Sequence, residues 1–574
     1  MKFLWLNIVV WLAALSVVAL GVTRSGSGND TRKQLVVITA TAARPDTMST
    51  PDDTAREASQ SEAYDNLTTA DSDSTVTASS NPAAVALNDS ASQFMASGDF
   101  KRAAGYLKKA LSLDDGYARA HYNLGIALQK QNKLGDAIKE YQRAVDIRPT
   151  YYSPIYNLGL LYYSISDFDK AREWLKKAVA VRKSEESAPA HYNLGLVYKH
   201  LGDLKASESS YTEALRLRPG YAEARYNLAL LRMNDERYQL AVDDFEKAAA
   251  LGMAKSKLFQ NLGVCYAKLE DYGRSVSAYR RALALEPGDA AVWFNLAMAF
   301  GRQEQADSSI AAYRRALELD PEYYQAHFNM AHVFSEQNQV DSALSHYRKA
   351  IELHSKYSKA LFNMALLFSD REQYDSAAEC YRKVVDLDPE NQKALFNLGV
   401  AYGHLDKVDD AVKSYRELID QDPVHEKGLN NLGSAFMKLE QYDSALVYFG
   451  RLVGLTHDAQ AYFNRARAYR SLDSTGRARE DYQKAIEIQP EYAKAYHNLA
   501  ILEEEAGDYP RAIELLTRAV DLGENDWKSH WKLGQIYVKL GMADQARTEY
   551  AAAAESHPQS AKFDREYKDL LKLQ

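Results

Sequence analysis

A period of 34 residues governs most of this chain of 574 residues. An asparagine marks it in twelve consecutive units, and the spacing departs from 34 only twice, once to 36 and once to 33. The marker residues are Asn123, Asn157, Asn193, Asn227, Asn261, Asn295, Asn329, Asn363, Asn397, Asn431, Asn464 and Asn498. A repeat of this length is typical of stacked supersecondary units that bury a core only against their neighbours.

Other positions keep step with the asparagine. Gly or Ala stands two residues after it, Ala or Ser fourteen after it, and Tyr, Phe or Leu eighteen after it, as at Gly125, Ala137 and Tyr141. Between these marks the apolar residues follow the i, i+3, i+4, i+7 spacing of amphipathic helices. Each unit is therefore expected to hold two helices with a polar turn between them, and a proline such as Pro149 ends the second helix in seven units.

The pattern closely resembles the tetratricopeptide repeat. It covers residues 85–560 in about fourteen units, of which the first has Asp89 and the last Lys532 at the asparagine place. The resemblance implies an all-α, right-handed superhelical solenoid whose first helices line a concave groove. Residues 561–574 are interpreted as a capping helix, because solenoids need polar ends.

The asparagine needs a reason, because it is a poorer helix former than alanine. In the superhelix of the O-linked N-acetylglucosamine transferase family, which this array resembles, a matching asparagine grips the main chain of an extended peptide. The twelve asparagines are therefore candidate peptide-binding residues, since one amide offers both an acceptor and donors. The alternative is that the asparagine belongs to the general repeat consensus and forms hydrogen bonds within the array.

Two neighbouring places sharpen this hypothesis. Basic residues stand four before the asparagine, on the same helical face, at Lys257, Lys359, Lys393, Lys427 and Lys494, with Arg119 and Lys528 matching. They favour acidic segments as partners, or else they form a solvated face. An aromatic residue precedes the asparagine in nine units and is interpreted mainly as packing core. The Lys, Asn and Arg clamp of chaperone-binding relatives is incomplete, because Arg never replaces the asparagine.

The amino-terminal region differs from the repeats. Residues 3–22 are apolar enough to suggest a single transmembrane helix within a membrane anchor at 1–23, with a cleaved signal sequence as the alternative. Residues 24–84 are rich in Ser, Thr and Asp and are expected to be a disordered linker. Within them "QLVVITATA", residues 34–42, is the one β-prone run, either a chance apolar run or a docking strand. We expect a single-pass membrane protein with the repeats on the extracytoplasmic side, periplasmic in a bacterium, the cytoplasmic side being the alternative.

No catalytic or cofactor motif occurs. The sequence lacks a phosphate-binding loop, an H-E-x-x-H motif and a C-x-x-C pair, so no enzyme activity and no cofactor are predicted. The net charge of −8, spread over both signs, gives no reason to expect nucleic acid. Cys265 and Cys380 are expected to be small buried residues. The sequence favours a membrane-tethered scaffold that binds extended protein or peptide segments. The alternative is a non-catalytic subunit that delivers substrate to a separate enzyme or to an envelope or secretion machine.

Overall fold

The computed structural model describes residue 79, residues 81–523 and residues 527–556, and in this part of the chain the regular elements are helices, with no strand. The α-helices are α1 Pro82–Ala96, α2 Phe100–Leu113, α3 Ala118–Lys130, α4 Leu134–Ile147, α5 Tyr152–Ser164, α6 Phe168–Val181, α7 Ala188–His200, α8 Leu204–Leu217, α9 Ala222–Asn234, α10 Tyr238–Ala250, α11 Ser256–Lys268, α12 Tyr272–Leu285, α13 Ala290–Arg302, α14 Ala306–Leu319, α15 Tyr324–Glu336, α16 Val340–Leu353, α17 Ser358–Asp370, α18 Tyr374–Leu387, α19 Gln392–His404, α20 Val408–Gln421, α21 Glu426–Lys438, α22 Tyr442–Thr456, α23 Ala459–Ser471, α24 Thr475–Ile488, α25 Ala493–Glu505, α26 Tyr509–Leu522, α27 Trp527–Lys539 and α28 Ala543–Ser556.

These helices form fourteen consecutive pairs, which confirms the predicted all-α repeat solenoid for the described residues. We number the pairs as repeats 1 to 14, so each odd-numbered helix is a first helix and each even-numbered helix is a second helix. The chain divides into two compact units between Val333 and Phe334, inside α15. The right-handed superhelix remains a prediction.

The turn inside a repeat is built by its sequence. In repeat 6, Glu270 adopts a left-handed conformation with φ 61°, and the N–H of Asp271 donates to the carbonyl of Tyr266 at 2.9 Å. The Asp271 side chain then accepts from the N–H of Arg274 at 3.0 Å and caps α12. An aspartate cap of this kind satisfies an otherwise unpaired helix N–H. The polar residues of this turn, Glu270 and Asp271, therefore both end one helix and start the next.

The small residue that stands two positions after the asparagine determines how closely the first and second helices of a repeat approach each other. A Cβ added to Gly263 would lie 2.6 Å from Cε1 of Tyr279, the buried aromatic of the second helix. Gly125 and Tyr141 repeat this geometry at 2.5 Å. Such contacts are too short for carbon atoms, so the aromatic ring packs directly on the backbone of the first helix.

The two breaks in period have distinct structures. The two added residues fall at a 3-10 turn of three residues, Glu185–Ser187. The Tyr152 hydroxyl donates to the Glu186 carbonyl of this turn at 3.2 Å. The deletion follows α22, which runs for 15 residues and ends in left-handed His457 (φ 52°).

The predicted transmembrane helix and the single-pass membrane location require correction. Among the helices of residues 81–523 and 527–556, none is long and apolar enough to cross a membrane. The longest have 15 residues, whereas a spanning helix needs about 20 apolar residues. Residues 3–22, on which the prediction fell, lie outside the described residues.

Three further predictions concern residues beyond the described ones. They are the run at 34–42, nearly all of the linker at 24–84, and the capping helix at 561–574. At the linker's predicted end, α1 already begins at Pro82.

Candidate peptide-binding face of the first helices

The twelve asparagines lie on first helices but differ in exposure. Seven are at most 9% exposed, namely Asn123, Asn157, Asn193, Asn227, Asn329, Asn363 and Asn464. Five are partly exposed, namely Asn261, Asn295, Asn397, Asn431 and Asn498. A ligand can reach the second group without moving a helix, while the first group is engaged within the array or sealed from solvent.

The asparagines of repeats 3 to 6 each donate a hydrogen bond to a tyrosine of the preceding repeat. In each case this tyrosine stands immediately before the asparagine of its own repeat. Asn193 Nδ2 lies 2.9 Å from the hydroxyl of Tyr156, and Asn227 Nδ2 lies 3.2 Å from that of Tyr192. Longer bonds of 3.5 and 3.4 Å join Asn157 to Tyr122 and Asn261 to Tyr226. These asparagines therefore tie successive first helices together, which is the role that the consensus alternative assigns to them.

The same bond forms when the acceptor is another amide. Asn123 Nδ2 donates to Asn88 Oδ1 at 2.8 Å, and Asn464 Nδ2 donates to Asn430 Oδ1 at 2.7 Å. Asn88 and Asn430 occupy the place that tyrosine holds in repeats 2 to 5. The inter-repeat bond thus depends on a polar group at that place.

Phenylalanine at that place changes the partner. In repeats 9 and 11 the asparagine turns to the buried tyrosine of the preceding second helix: Asn363 Nδ2 lies 3.4 Å from the Tyr347 hydroxyl, and Asn431 Nδ2 lies 3.2 Å from that of Tyr415. Burial raises the pKa of Tyr415 to about 12, against the opposing effect of its bond to Asn431. The phenol therefore stays protonated at neutral pH and accepts through its oxygen.

Repeat 8 departs from both arrangements. Neither Nδ2 nor Oδ1 of Asn329 has a hydrogen-bond partner among the described residues, although the side chain is only 4% exposed. Gln325, one turn earlier on α15, is 6% exposed and its Oε1 is likewise without a partner there. Buried amides without partners are costly, by about 1–3 kcal/mol each.

The basic residues form an exposed row. Lys257, Lys359, Lys393, Lys427 and Lys494 are all exposed. Lys257 donates to Gln260 Oε1 at 3.0 Å. Lys359, Lys393, Lys427 and Lys494 form no ion pair with any residue of the described part of the chain. By contrast, the nearby Lys383 pairs with Glu379 at 2.7 Å.

The side chains of His121, Cys265 and Cys380 are buried within the array. His121 is 5% exposed, with Nδ1 2.7 Å from Glu140 Oε2 and Nε2 3.0 Å from the Asp115 carbonyl. Both cysteines are free and buried, as predicted, and burial raises the pKa of Cys265 to about 12 and that of Cys380 to about 11. Within the described ranges no cluster of His, Cys, Asp and Glu could hold a metal ion.

The sequence alone did not identify two features of this face. The aromatic residue before the asparagine was interpreted as packing core, yet its hydroxyl, where it is tyrosine, accepts the inter-repeat bond. The change from Tyr in repeats 2 to 5 to Phe in repeats 7 to 10 was the available signal. Gln325 occupies the lysine place of repeat 8 and was therefore not a candidate.

Comparison with known proteins identifies the repeat. Family models described as tetratricopeptide repeat match residues 88–152, 192–255, 261–324, 294–358 and 362–426, residues 152–220 and 458–525 and residues 503–572. These matches do not bear on the likeness to the transferase superhelix, which stays a prediction.

Individual relatives are distant. The TPR repeat-containing protein YpiA of Bacillus subtilis (strain 168) is 28% identical over 89 residues, 16% of this chain and 21% of that protein. The tetratricopeptide repeat-containing protein trd-1 of Caenorhabditis elegans is 27% identical over 124 residues, 21% of this chain and 15% of that protein. This chain therefore spans about a fifth or less of either relative.

Among solved structures, YrrB, described as a TPR protein with an unusual peptide-binding site, is 27% identical and covers 33% of this chain and 97% of its own, with a TM-score of 0.32. The repeats support a protein–protein interaction scaffold. With matched segments that run from residue 88 to residue 572, this chain belongs to the tetratricopeptide repeat family.

Proposed function

We propose that the first helices of repeats 9 to 11 bind extended, acidic segments of partner proteins. The observation that carries the proposal is the row of Lys359, Lys393 and Lys427, which are exposed and form no ion pair within the described residues. The repeat period places one such lysine at the same position of three consecutive first helices. A partner with acidic side chains supplies the missing counter-charges.

The spacing of the row suggests how the partner is arranged. Packed helices lie on the order of 10 Å apart, and an extended chain advances about 3.3 Å per residue. Lysines on successive first helices therefore match acidic residues at about every third position of an extended segment.

Partly exposed amides supply the second part of the site. Asn397 and Asn431 lie one helical turn after Lys393 and Lys427 and keep side-chain surface available. Asn431 Nδ2 donates to Tyr415, and its Oδ1 accepts from Asn430 Nδ2 at 3.3 Å. A carbonyl oxygen has room for a second donor, so Asn431 can still accept a main-chain N–H of the partner.

The test uses a labelled synthetic peptide, acetyl-(Glu-Ser-Thr)4-amide, and its Gln-Ser-Thr counterpart as the uncharged control. Fluorescence anisotropy measures the Kd for the full chain and for the triple variant Lys359→Gln, Lys393→Gln, Lys427→Gln. The matched control is Lys383→Gln, Lys407→Gln, Lys438→Gln. It removes the same charge from lysines that already pair with Glu379, Asp375 and Asp406.

Exposed ion pairs contribute about 0.2–1 kcal/mol each. Loss of three should therefore weaken binding of the acidic probe by about 0.6–3 kcal/mol, or roughly 3- to 150-fold, and the control variant should bind like wild type. An equal loss of affinity in both triple variants would show that only the total charge of the protein matters. Equal affinity for the Gln-Ser-Thr peptide would show that the acidic side chains are not recognised. Either result would refute the proposal.

A further inference from the structure

In several repeats a polar side chain crosses the groove between successive second helices. This side chain belongs to the residue two before the asparagine place and reaches back to the loop that ends the preceding repeat. Trp293 Nε1 donates to the Pro287 carbonyl at 3.0 Å, and the Tyr496 hydroxyl donates to the Pro490 carbonyl at 3.3 Å. The contact ties a first helix to the loop after the second helix before it and closes that end of the groove.

In repeats 10 and 11 the residue two before the asparagine is leucine, and the second helix supplies the contact instead. Gln421, the last residue of α20, donates from Nε2 to the Pro389 carbonyl at 2.7 Å. Arg451, on α22, donates from its guanidinium group to the Pro423 carbonyl at 2.7 Å. Those loops are therefore held from the side of the second helix.

The residues of repeat 9 at these places are unsuited to the contact. Leu361 stands two before the asparagine, and its side chain cannot form a hydrogen bond. On α18, Leu387 holds the place of Gln421, and Lys383, at the place of the arginine of α22, pairs with Glu379 at 2.7 Å. A pocket of about 550 Å³ opens between α16 and α18, with residues of α17 at its base. We call it the repeat 9 groove.

The lining of the repeat 9 groove is apolar at the base and charged at the rim. Leu361 and Met364 of α17 are 3% and 8% exposed. Ile351 of α16 and Leu387 of α18 stand on either side of them. The volume of the pocket falls in the range of ligand-binding pockets, about 300–1,000 Å³.

The equivalent groove of repeat 13 provides a contrast. Between α24 and α26 it holds a pocket of about 710 Å³, whose lining includes the charged residues Glu487, Arg511, Glu514 and Arg518. Arg511 and Glu514 already pair with each other at 2.5 Å. An apolar side chain gains little by entering that pocket, whereas the repeat 9 groove removes it from water.

The shape and the chemistry of the repeat 9 groove select a helix. An extended main chain laid against Leu361, Met364 and Ile351 would leave N–H and C=O groups without partners, since these side chains offer none. A helix pairs its own main-chain groups and packs at about 8–10 Å from its neighbours. The lining runs along α16 from Arg348 to Ser355, which is about 10 Å and fits about two turns of a partner helix.

Two charges at the rim define which helix fits. Arg348 of α16 and Asp386 of α18 line the groove, are exposed, and form no ion pair with any residue of the described part of the chain. By the repeat period Asp386 lies level with Glu352, one turn beyond Arg348 and on the opposite wall. Asp386 also stands in the last turn of α18, where the helix dipole favours a cation. A fitting helix therefore needs a carboxylate on one edge and, about one turn along, a basic residue on the other.

We propose that the repeat 9 groove docks an amphipathic helix of a partner protein. The apolar residues of this helix, at the i, i+3, i+4, i+7 spacing of helices that bind grooves, pack on Leu361 and Met364. A carboxylate on one edge pairs with Arg348, and a lysine or arginine on the other edge pairs with Asp386. Docking also removes Leu387, which is 39% exposed, from water.

This surface is separate from the row of lysines on the first helices. Around α17, Leu361 and Met364 lie about 200° and 140° from Lys359, at about 100° per residue. The groove and the lysine row therefore face different directions, and a partner on one does not exclude a partner on the other. The groove is a second binding surface, for a segment that is helical and apolar rather than extended and acidic.

The test uses a labelled peptide, acetyl-(Ala-Glu-Leu-Ala-Ala-Leu-Lys)3-amide, which as a helix carries Leu on one face with Glu and Lys on opposite edges of it. Fluorescence anisotropy measures its Kd for the full chain. Leu387→Glu should weaken binding by about tenfold or more, because it sets a charge against the apolar face. Arg348→Gln with Asp386→Asn should weaken binding by about 2- to 30-fold, as expected for two exposed ion pairs. A peptide with Gln in place of Glu and Lys should bind wild type less tightly by the same factor.

Matched changes serve as controls because the same places recur in other repeats. Leu455→Glu is the equivalent of the leucine change, and Arg382→Gln with Asp420→Asn is the equivalent of the double change. All three of these residues are exposed. Each control variant should bind the peptide like wild type, and melting by circular dichroism verifies that every variant folds.

Three results would overturn the inference. They are equal losses of affinity in the groove variants and their controls, equal affinity of wild type for the Gln peptide, and loss of binding in the variant Lys359→Gln, Lys393→Gln, Lys427→Gln, which would place the peptide on the first helices. A full chain that binds the Glu-Ser-Thr peptide but not the helical one would overturn the inference while leaving the proposed function intact.

Discussion

At the scale of single residues, the asparagine has different partners in different repeats. In some repeats the asparagine Nδ2 donates to a tyrosine hydroxyl of the preceding repeat, as for Asn193 and Asn227. That tyrosine stands immediately before the asparagine of its own repeat. Phenylalanine there leaves the amide to a second-helix tyrosine, as for Asn431, or without a partner in the described residues, as for Asn329. One consensus residue therefore forms a bond between first helices in some repeats, and in others it has a different partner or none among the described residues.

Removal of one hydroxyl tests the tyrosine bond. Tyr192→Phe deletes the acceptor of the 3.2 Å bond from Asn227 but keeps the ring packing. Asn227 retains its bond to the Glu223 carbonyl at 3.0 Å, so we expect a loss of about 0.5–1.5 kcal/mol in local stability. Hydrogen exchange of α7 to α10 measures it, since repeat arrays open locally. Tyr226→Phe, whose bond to Asn261 is 3.4 Å and partly exposed, should cost less; a larger loss there would contradict the account.

A second prediction concerns the glycine beneath the aromatic ring. Gly263→Val places carbon atoms where even a Cβ would lie 2.6 Å from Tyr279. The two helices must separate, and overpacking of this kind costs about 1–3 kcal/mol. Thermal unfolding should show the loss. Gly273→Val, which has only distant neighbours at 3.8 Å, is the control, and equal destabilisation by both variants would argue against close helix approach as the cause.

At the scale of helices, three successive glutamates on α25 join the last repeats. Glu503 accepts from Arg479 at 2.8 Å and Glu505 from Arg470 at 2.8 Å, both in repeat 12. Glu504, with its side chain 4% exposed, pairs with Lys532 at 2.6 Å and Lys539 at 2.7 Å in repeat 14. Burial alone would raise the pKa of Glu504, but the two ammonium groups hold that pKa below its usual value.

This lowered pKa gives the pH dependence its sign. A carboxyl group whose pKa is depressed on folding contributes stability above its unfolded pKa, about 4.3, and loses it as pH falls through the folded value. Glu504→Gln should therefore weaken the docking of α27 and α28 by about 1.5–3 kcal/mol at pH 7. This effect should shrink as pH falls below about 4.3 and disappear only below the depressed folded pKa of Glu504. Hydrogen exchange at pH 7 and at successively lower pH values measures this. Glu505→Gln, in a more exposed pair, should have a smaller effect at pH 7.

At the scale of the whole molecule, the sequence predicted the repeats well because their marks are local. The helix pairs, the polar turns and the small residues all follow from patterns within one unit, and the structure confirms them for the described residues. The partners in the hydrogen bonds between repeats were not predicted. In repeats 2 to 6 and 12 the acceptor lies 34–37 residues before the asparagine and depends on one polar group at that place. The predicted transmembrane helix rested on hydropathy alone, which reports the length of an apolar run and not the fold around it.

Lysine labelling tests the central claim, that the first-helix lysine row is the binding face, most directly. The full chain is acetylated with an N-hydroxysuccinimide ester, with and without saturating Glu-Ser-Thr peptide, and the modification of each lysine is read by mass spectrometry. We expect the peptide to protect Lys359, Lys393 and Lys427 and to leave Lys383, Lys407 and Lys438 unchanged, although all six are exposed or half-exposed side chains of the same repeats. Protection of the paired lysines with no protection of the row would place the binding face elsewhere and contradict the account.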